Sequence, residues 1–586
     1  NDGFGDVFGI YYAVTAPGLG DTELHGLARF LRREVLAVSG VANVEVAGLP
    51  EEAIFVEPIP AAAFNAGVSP TLLLGAISAS NTLADGGSVE DDRASTRILG
   101  PTGTDTVTDI ANLSLSAGGT LVNVFDFAAV TRGRLDTPER IIRHNGDEAF
   151  TLGIAGISTE NIVEVGKRVD ARLAALMQDV PAGVQLHPIY QQHRIVDRAS
   201  IDFLVSLAMS VVIVVLVLAA TMGWRAALVV GATLLLTVVG TFLFMQLFAI
   251  DMERISLGAL IIAMGMLVDN AIVVAEGLQV AMHRGLSSRD AAALATRKTQ
   301  VPLLGATVIG IAAFAGTGLS EDATGEFMFS LFAVIAISLM LSWFLALTVT
   351  PLLGHYVFKR DHALAGDPYG GAFFRVYGRF LRLMLKLRWL VVLALIAITA
   401  ACVIGFAQVR QQFFPYSNTP VFYVHYQLPQ GSAMAATSQD LSVVEDWLLQ
   451  RDEVVSVTAF VGGPATRFML TYVGEDASPT YGHLLVRTRT IDEIPALRED
   501  LEAFGAAALP GGEMRVARIV FGPAGTSPIQ ARFSGPDPDV LRALGAEAIE
   551  RMQAASDNIR NPRLDWRERE LVLRPVFADE RAQIAG

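Results

Sequence analysis

The chain has 586 residues, of which 52% are hydrophobic and 18% charged, and its mean hydropathy is +0.45. Soluble globular chains are about 45–50% apolar even when glycine is counted, so the composition excludes an ordinary soluble domain. The net charge of −15 argues against a partner such as nucleic acid, which needs a basic face. A single cysteine, Cys402, excludes internal disulfides. We therefore expect a membrane protein whose polar parts are held together by packing alone.

Six nearly uncharged segments of about 20 residues are each long enough to cross a bilayer as a helix. They are Phe203–Met222, Ala226–Ala249, Leu257–Ala275, Val301–Leu319, Phe327–Leu353 and Trp389–Ala407. The loops after the third and fifth segments are basic, whereas the second-to-third and fourth-to-fifth connections are acidic. Because basic loops stay in the cytoplasm, the large polar regions 1–199 and 408–586 are predicted to lie outside it.

The two polar regions repeat a strand–helix–strand pattern, which predicts α+β domains. The four strands that open these units lie in "VFGIYYAVTAPG", "AFTLGIAG", "VFYVHYQLPQG" and "PIQARFSGPDPDVLRALGAEAIERMQ". Between the first two units, Pro70–Arg143 is rich in turn-forming residues and predicts a small insert with short strands. Near the fifth segment, "FFRVYGRFLRLMLKLRW" alternates aromatic and basic residues, as a helix at the cytoplasmic membrane interface does.

The third apolar segment, "GALIIAMGMLVDNAIVVAE", carries Asp269 and Asn270 in its middle. An aspartate near the bilayer centre costs about 2.5–3.5 kcal/mol, and function is the usual reason for it. At 100° per residue, Gly258, Gly265 and Asp269 share one helix face, and glycines there allow close helix contact. We expect Asp269 to face protein and to bind a proton or a cation, the alternative being a hydrogen bond that only supports packing. Asn270 points about 100° away, toward a different neighbour.

Other chemistry is sparse. The sequence has no G-x-x-x-x-G-K-[ST] segment, which favours an ion gradient over ATP as the energy source. No two histidines have metal-ligand spacing on one predicted helix, so we expect neither a metal nor another cofactor. Five aromatic residues of the polar regions are candidates for an apolar substrate pocket, although aromatic residues also fill ordinary sheet cores. These are Phe8, Tyr11, Tyr12, Phe460 and Phe468.

Several segments together resemble the resistance-nodulation-division (RND) permeases, and most closely the acriflavine-resistance, or hydrophobe–amphiphile, multidrug exporters. They are "SLGALIIAMGMLVDNAIVVAEG", "ATRKTQVPLLGATVIGIAAFA", "LSWFLALTVTPLLGHYVF" and "RHNGDEAFTLGI". The resemblance implies an α-helical polytopic membrane domain plus α+β periplasmic porter domains built from repeated βαβ, ferredoxin-like subdomains. It divides the chain into a second porter module (1–59 and 144–195), a docking insert (60–143), spans two to six (196–357), a cytoplasmic loop with an interfacial helix (358–387), span seven (388–410), a third porter module (411–510) and the start of a fourth (511–586).

The same resemblance implies a proton-driven efflux permease of a Gram-negative inner membrane that exports hydrophobic and amphiphilic compounds. Such a protein is a secondary transporter rather than an enzyme. Asp269 and Asn270 occupy the proton-relay positions, where many relatives have two aspartates, so Asn270 leaves one titrating acid. The expected partners are membrane lipids, further copies in a homotrimer or mixed trimer, a periplasmic adaptor protein and an outer-membrane channel.

The resemblance also implies a longer natural protein, with a first span and last five spans outside this chain, including the span that carries a lysine partner for Asp269. Two alternatives remain open. One is a metal-ion exporter of the same superfamily, and the other is a membrane accessory factor for secretion that does not pump.

Overall fold

The computed structural model of the protein describes residues 6–81, 87–91, 94–97, 106–117, 119–358, 372–409, 415–520, 522, 527, 529–556, 558–576, 578 and 581. The chain divides into two compact units. An α+β unit contains Asn1–Gln191, Asn418–Arg518 and Ala531–Gly586, and a helical unit contains Gln192–Ser417 and Ile519–Gln530.

The first part of the α+β unit consists of β1 (Ile10–Thr15), α1 (Asp21–Leu36), β2 (Val41–Ala47), β3 (Glu52–Pro58), α2 (Pro60–Asn65), α3 (Pro70–Ser80), β4 (Ser88–Asp91), β5 (Ala94–Arg97), α4 (Val107–Ala111), β6 (Ser114–Ala117), β7 (Thr120–Asn123), α5 (Val124–Phe127), β8 (Ala128–Arg134), β9 (Ile141–His144), β10 (Asp147–Gly156), α6 (Ile162–Leu176) and β11 (Gln185–Gln191). The helical unit has α7 (Gln192–Met222), α8 (Trp224–Leu247), α9 (Arg254–His283), α10 (Ser288–Gly318), α11 (Ala323–Val357), α12 (Ala372–Lys386) and α13 (Arg388–Phe406). The chain then adds β12 (Val421–Gln427), α14 (Met434–Leu449), β13 (Val454–Val461), β14 (Tyr481–Thr488), α15 (Ile494–Ala508), β15 (Glu513–Arg518) and α16 (Pro538–Ala555).

Two ferredoxin-like subdomains make up most of the α+β unit. In the first, the antiparallel strands lie in the order β11-β1-β10-β2, with α1 and α6 on one face. In the second, the order is β15-β12-β14-β13, with α14 and α15 on one face. Each subdomain therefore orders its strands fourth, first, third, second. The α+β fold class expected from the repeated strand–helix–strand pattern is confirmed.

Strand β9 joins the two subdomains into one nine-stranded sheet. It pairs with β13 of the second subdomain and forms a hairpin with β10 of the first. The hairpin turn is Asn145–Gly146, with φ of 51° and 88°. Two central residues with positive φ define the type I′ turn, for which Asn-Gly is the preferred pair. Asn145 also exchanges two hydrogen bonds with Val457 of β13, at 2.8 and 2.9 Å.

Between β3 and β8, which pair with each other, the chain forms a small insert. It contains two further two-stranded sheets, β4-β5 and β6-β7, and its own apolar core around Phe127 and Val124.

Within the fourth predicted strand–helix–strand unit, the residues that the structure describes form the helix α16 and no strand. Asp537 caps it, because its Oδ1 accepts hydrogen bonds from the backbone N–H groups of Asp539 and Val540. Neither 531–537 nor the described part of 558–576 forms a strand, since no neighbouring strand pairs with them. Strand β15 instead extends the second sheet beyond residue 510, where the sequence-based division ended the third module.

In the described part of the helical unit, six helices are long and apolar enough to cross a membrane: α7, α8, α9, α10, α11 and α13. This confirms the six predicted segments. Helix α9 lies between neighbours, packing against α8, α10 and α11, and more than half of its most apolar stretch is buried. By contrast, the corresponding stretch of α13 has no buried residue.

Candidate functional site

Helix α9 places Asn270 inside the helical unit. Its side chain is 6% exposed, and its Nδ2 donates a hydrogen bond to Ser342 Oγ of α11 at 3.3 Å. The Ser342 hydroxyl in turn donates to the backbone oxygen of Leu267 at 2.8 Å. Asn270 is thus part of a buried polar link that holds α9 against α11.

Asp269, about 100° around the helix from Asn270, lies on an exposed face of α9. It shares this face with exposed residues four or seven positions away, Gly265, Val273 and Ile262. A Cβ atom added to Gly265 would have no other described heavy atom within 4 Å, so this face is open. No described side chain forms a hydrogen bond or an ion pair with Asp269. The two residues of the predicted relay therefore differ in environment, and their role in proton transfer stays a prediction.

Four of the five predicted pocket residues come together in the α+β unit, on the sheet face opposite the helices. The Tyr11 ring stacks with Phe460 at a centroid distance of 6.5 Å and with Phe468 at 6.2 Å. All three side chains are less than 2% exposed. Phe8 lies beside Gly153, the residue of β10 that pairs with Tyr11 of β1. A Cβ atom added to Gly153 would be only 3.1 Å from Phe8 Cβ. We call Phe8, Tyr11, Phe460 and Phe468 the aromatic cluster.

Tyr12 does not join the aromatic cluster. Successive side chains of a strand point to opposite faces, so Tyr12 packs under the helices while Tyr11 points away from them. The Tyr12 hydroxyl donates to Asp170 Oδ1 of α6 at 2.7 Å and accepts from Gln191 Nε2 at 2.9 Å. Its contacts are those of a residue that anchors a helix to the sheet.

Sequence reasoning missed the titratable rings around the aromatic cluster. His483 is fully buried and lies 5.8 Å from the Phe460 ring, and Tyr472 lies 4.7 Å from the Phe468 ring. The Nδ1 atom of His425 is 2.6 Å from the Tyr481 hydroxyl. The alternation in "VFYVHYQ" predicts that positions 423 and 425 share a face, but it does not say which structure covers that face.

Burial keeps these imidazoles neutral. It lowers the pKa of His425 to about 4 and lowers that of His483 well below its ordinary range. On the first subdomain, His144 of β9 stacks on His187 of β11 at 4.5 Å, and burial lowers the pKa of His144 to about 4. In the described residues, no group of three or more His, Cys, Asp or Glu side chains could hold a metal ion.

A buried ion pair connects β9 to the second subdomain. Arg143 donates from Nε to Glu445 Oε2 of α14 at 2.7 Å and from Nη1 to Ser438 Oγ at 2.6 Å. The Glu445 side chain is 1% exposed and that of Arg143 is 14% exposed. Burial raises the pKa of Glu445, although the adjacent guanidinium opposes this effect.

A cleft of about 300 Å³ opens beside β9 in the α+β unit. Its walls combine apolar side chains with arginines and glutamates, among them Leu135, Ile142, Arg134, Arg140 and Glu51. This cleft is open, whereas in the aromatic cluster the Tyr11 ring stacks with Phe460 and Phe468.

Comparison with known proteins assigns the chain to a protein family. A family model described as the AcrB/AcrD/AcrF family matches residues 8–478, a range that includes Asp269 and the whole aromatic cluster. The chain belongs to the AcrB/AcrD/AcrF family. It is therefore a multi-pass membrane chain of the RND family, which is a family of transporters and not of enzymes.

Several curated relatives carry the name multidrug resistance protein MdtC. The chain is 27% identical to the one from Enterobacter sp. (strain 638) over 464 residues, which are 77% of this chain and 45% of that protein. It is 29% identical to the one from Serratia proteamaculans (strain 568) over 448 residues, 74% of this chain and 43% of the relative. It is 30% identical to the one from Yersinia pestis bv. Antiqua (strain Angola) over 451 residues, which are 74% of this chain and 43% of that protein. The chain thus spans less than half the length of these relatives.

Proposed function

We propose that this chain is part of a proton-driven exporter of hydrophobic and amphiphilic compounds in the inner membrane of a Gram-negative bacterium. Family membership and the similarity to multidrug resistance proteins support the transport class. The observation that carries the coupling mechanism is the position of Asp269, an acid in the middle of a membrane-spanning helix on a face left open by the described residues. Ionisable residues at such positions usually serve proton or ion pathways.

In the proposed mechanism, Asp269 is the single acid that exchanges protons. Its open face, with Gly265 beside it, suits close approach by a further helix of the complete protein. A change of charge at Asp269 then favours one of two helix packings over the other. Asn270 cannot titrate, and its bond to Ser342 keeps α9 on α11 in both states.

Substrates are proposed to bind where the aromatic cluster now packs. Apolar walls with few polar groups suit amphiphilic ligands of varied shape. Because the rings of Tyr11, Phe460 and Phe468 are in contact, binding requires them to separate. A transporter that changes conformation can supply such an opening and closing cycle.

The remaining assignments are proposals that follow from the family. We infer that the α+β unit lies in the periplasm as porter subdomains, and that the third porter module extends beyond residue 510 to include β15. The insert between β3 and β8 serves docking. The complete protein forms a trimer that works with a periplasmic adaptor and an outer-membrane channel.

The first prediction tests Asp269 in the full-length protein, reconstituted in sealed vesicles with an imposed proton gradient. Asp269→Asn is nearly the same size but cannot ionise, so we expect dye export to fall to the level of protein-free vesicles. The matched control is Asn270→Ala on the next residue, which removes no charge and should retain most of the transport.

Both variants should insert and assemble like the parent protein, as judged by size-exclusion chromatography. Dye export that survives Asp269→Asn at the parent rate would contradict the proposed coupling site.

A further inference from the structure

Helix α12, Ala372–Lys386, is strongly two-sided. Its four cations are Arg375, Arg379, Arg382 and Lys386, spaced by four, three and four residues. At 100° per residue they fall within an arc of about 60° and extend over about 16 Å of the helix. The helix contains no acidic residue. We call these four side chains the basic stripe.

The other side of α12 is apolar and uncovered. Val376 is 63% exposed, Phe380 55% and Leu383 50%, and Tyr377 and Leu381 are also exposed. Exposed apolar area of this extent on one side of a helix marks a surface that binds a partner or a membrane.

The charges of the basic stripe are not neutralised by the rest of the described chain. Arg382 Nε donates to the backbone oxygen of Gly378 at 3.1 Å, a contact within the helix itself. Within the described residues, none of the four cations forms an ion pair with a carboxylate. The stripe therefore presents four positive charges to whatever covers it.

The position of α12 in the chain indicates which surface covers the basic stripe. Leu387 alone separates α12 from α13, a helix apolar enough to cross a membrane with Arg388 as its first residue. The end of α12 is thereby tethered at the boundary of a membrane-spanning helix. At the end of a membrane-spanning helix, a bilayer surface offers both negative charge and apolar groups. Its anionic headgroups match the cations of α12, and its acyl chains match the apolar side.

We propose that α12 is a binding site for anionic phospholipids, with headgroup phosphates on the basic stripe and Phe380 and its apolar neighbours below them. A soluble anion would leave the apolar side uncovered, and a surface without negative charge would leave four cations unmatched. The site is independent of the transported substrate. Each cation near an anionic surface contributes about 1 kcal/mol, which corresponds to about fivefold in affinity.

The test measures which lipids surround α12 in the complete chain. In a Cys402→Ser background, Phe380→Cys carries a bimane fluorophore, and the protein is reconstituted in nanodiscs of phosphatidylcholine. A minor fraction of either phosphatidylglycerol or phosphatidylcholine bears a nitroxide on its acyl chain and quenches the fluorophore on contact. The ratio of the two quenching constants gives the local enrichment of the anionic lipid.

We expect at least fivefold enrichment of phosphatidylglycerol at low salt, and loss of most of it at high salt because the attraction is screened. Arg375→Gln with Arg379→Gln should reduce the enrichment at least fivefold. The matched control is Arg284→Gln with Arg289→Gln, which removes two exposed charges near the α9–α10 loop and should leave the enrichment unchanged.

Three results would overturn the proposal. The first is equal quenching by both lipids in the parent protein, and the second is an equal loss of enrichment in the control variant. The third is a fluorophore that neither lipid quenches, because protein would then cover the apolar side. Since no transport is measured, failure here and failure of the proposed export function are distinguishable.

Discussion

The two ferredoxin-like subdomains share a strand order and a way of packing helices, but the faces opposite their helices differ. On the first, Tyr11, Ala13 and Thr15 of β1 alternate with the residues that pack under the helices. On the second, the corresponding face carries His425 and His483, both buried. In each strand, the side chains that face the helices form the apolar core. The alternate side chains, on the opposite face, can therefore differ between the two subdomains.

The helix-facing sides of the two sheets even share a polar contact. Tyr12 of β1 donates to Asp170 of α6, and Tyr426 of β12 donates to Asp440 of α14, both at 2.7 Å. In each subdomain a tyrosine on the first strand thus bonds an aspartate on a covering helix. The comparison predicts that substitutions on the helix side alter the free energy of unfolding by similar amounts in the two subdomains. Substitutions at β9, where the subdomains join, and on the face opposite the helices should not have matched effects.

The largest effect is expected at the junction, from Arg143→Met. This change leaves the Glu445 carboxylate buried without its cation, a situation that costs about 3–5 kcal/mol when the acid stays charged. Protonation of Glu445, whose pKa burial already raises, should keep the loss near the lower end of this range. Urea unfolding of the α+β unit, followed by the fluorescence of Trp447, measures it.

Two further variants sharpen this result. Arg143→Met combined with Glu445→Met should recover most of the stability, because no uncompensated charge remains. Arg140→Met removes a nearby guanidinium that has no ion-pair partner in the described residues and should change the free energy of unfolding little. A loss as large for Arg140→Met as for Arg143→Met would show that the ion pair is not the cause.

An intermediate effect is expected from acid. Burial lowers the pKa of native His483 well below its ordinary range. Native His425 takes up a proton only near pH 4, whereas an unfolded histidine does so near pH 6.5. Between these values the unfolded state binds more protons, so the free energy of unfolding falls as the pH falls from about 6.5 to 4. At pH 5 the loss is on the order of 2 kcal/mol for His425, and His483 adds a loss of the same sign.

Unfolding measured at pH 7 and pH 5, again with Trp447 as the probe, checks the size of this loss. His483→Leu should make stability less dependent on pH in this window. The control His25→Leu changes a half-buried histidine on α1 of the first subdomain. Equal pH dependence in the parent and the His483→Leu protein would be evidence against the buried neutral imidazole.

The smallest effect is expected on the helix side. Tyr12→Phe and Tyr426→Phe each remove one hydroxyl that bonds a carboxylate, worth about 1–2 kcal/mol. If the two subdomains use the same device, their losses should agree within about 0.5 kcal/mol. A loss for one tyrosine and none for the other would break the comparison.

Much of the fold could be predicted from the sequence because it depends on local patterns. The six membrane-spanning helices follow from hydrophobic length, and the helices of the α+β unit follow from apolar spacing such as that of Leu27, Leu31 and Val35. The Asn145–Gly146 turn follows from backbone preference. Asp269 is identifiable because an acid in such a segment is costly.

The sequence by itself therefore determined the class of protein, its membrane helices and the acid at Asp269. Only the tertiary structure decided which residues meet. It pairs Asn270 with Ser342 and stacks Tyr11 on Phe460 and Phe468. It bonds Tyr12 to Asp170 and so keeps Tyr12 out of the aromatic cluster. The physical reason is that periodicity specifies which side chains share a face of one element. What lies across that face depends on how elements distant in sequence pair and pack, as β9 does when it joins the two sheets.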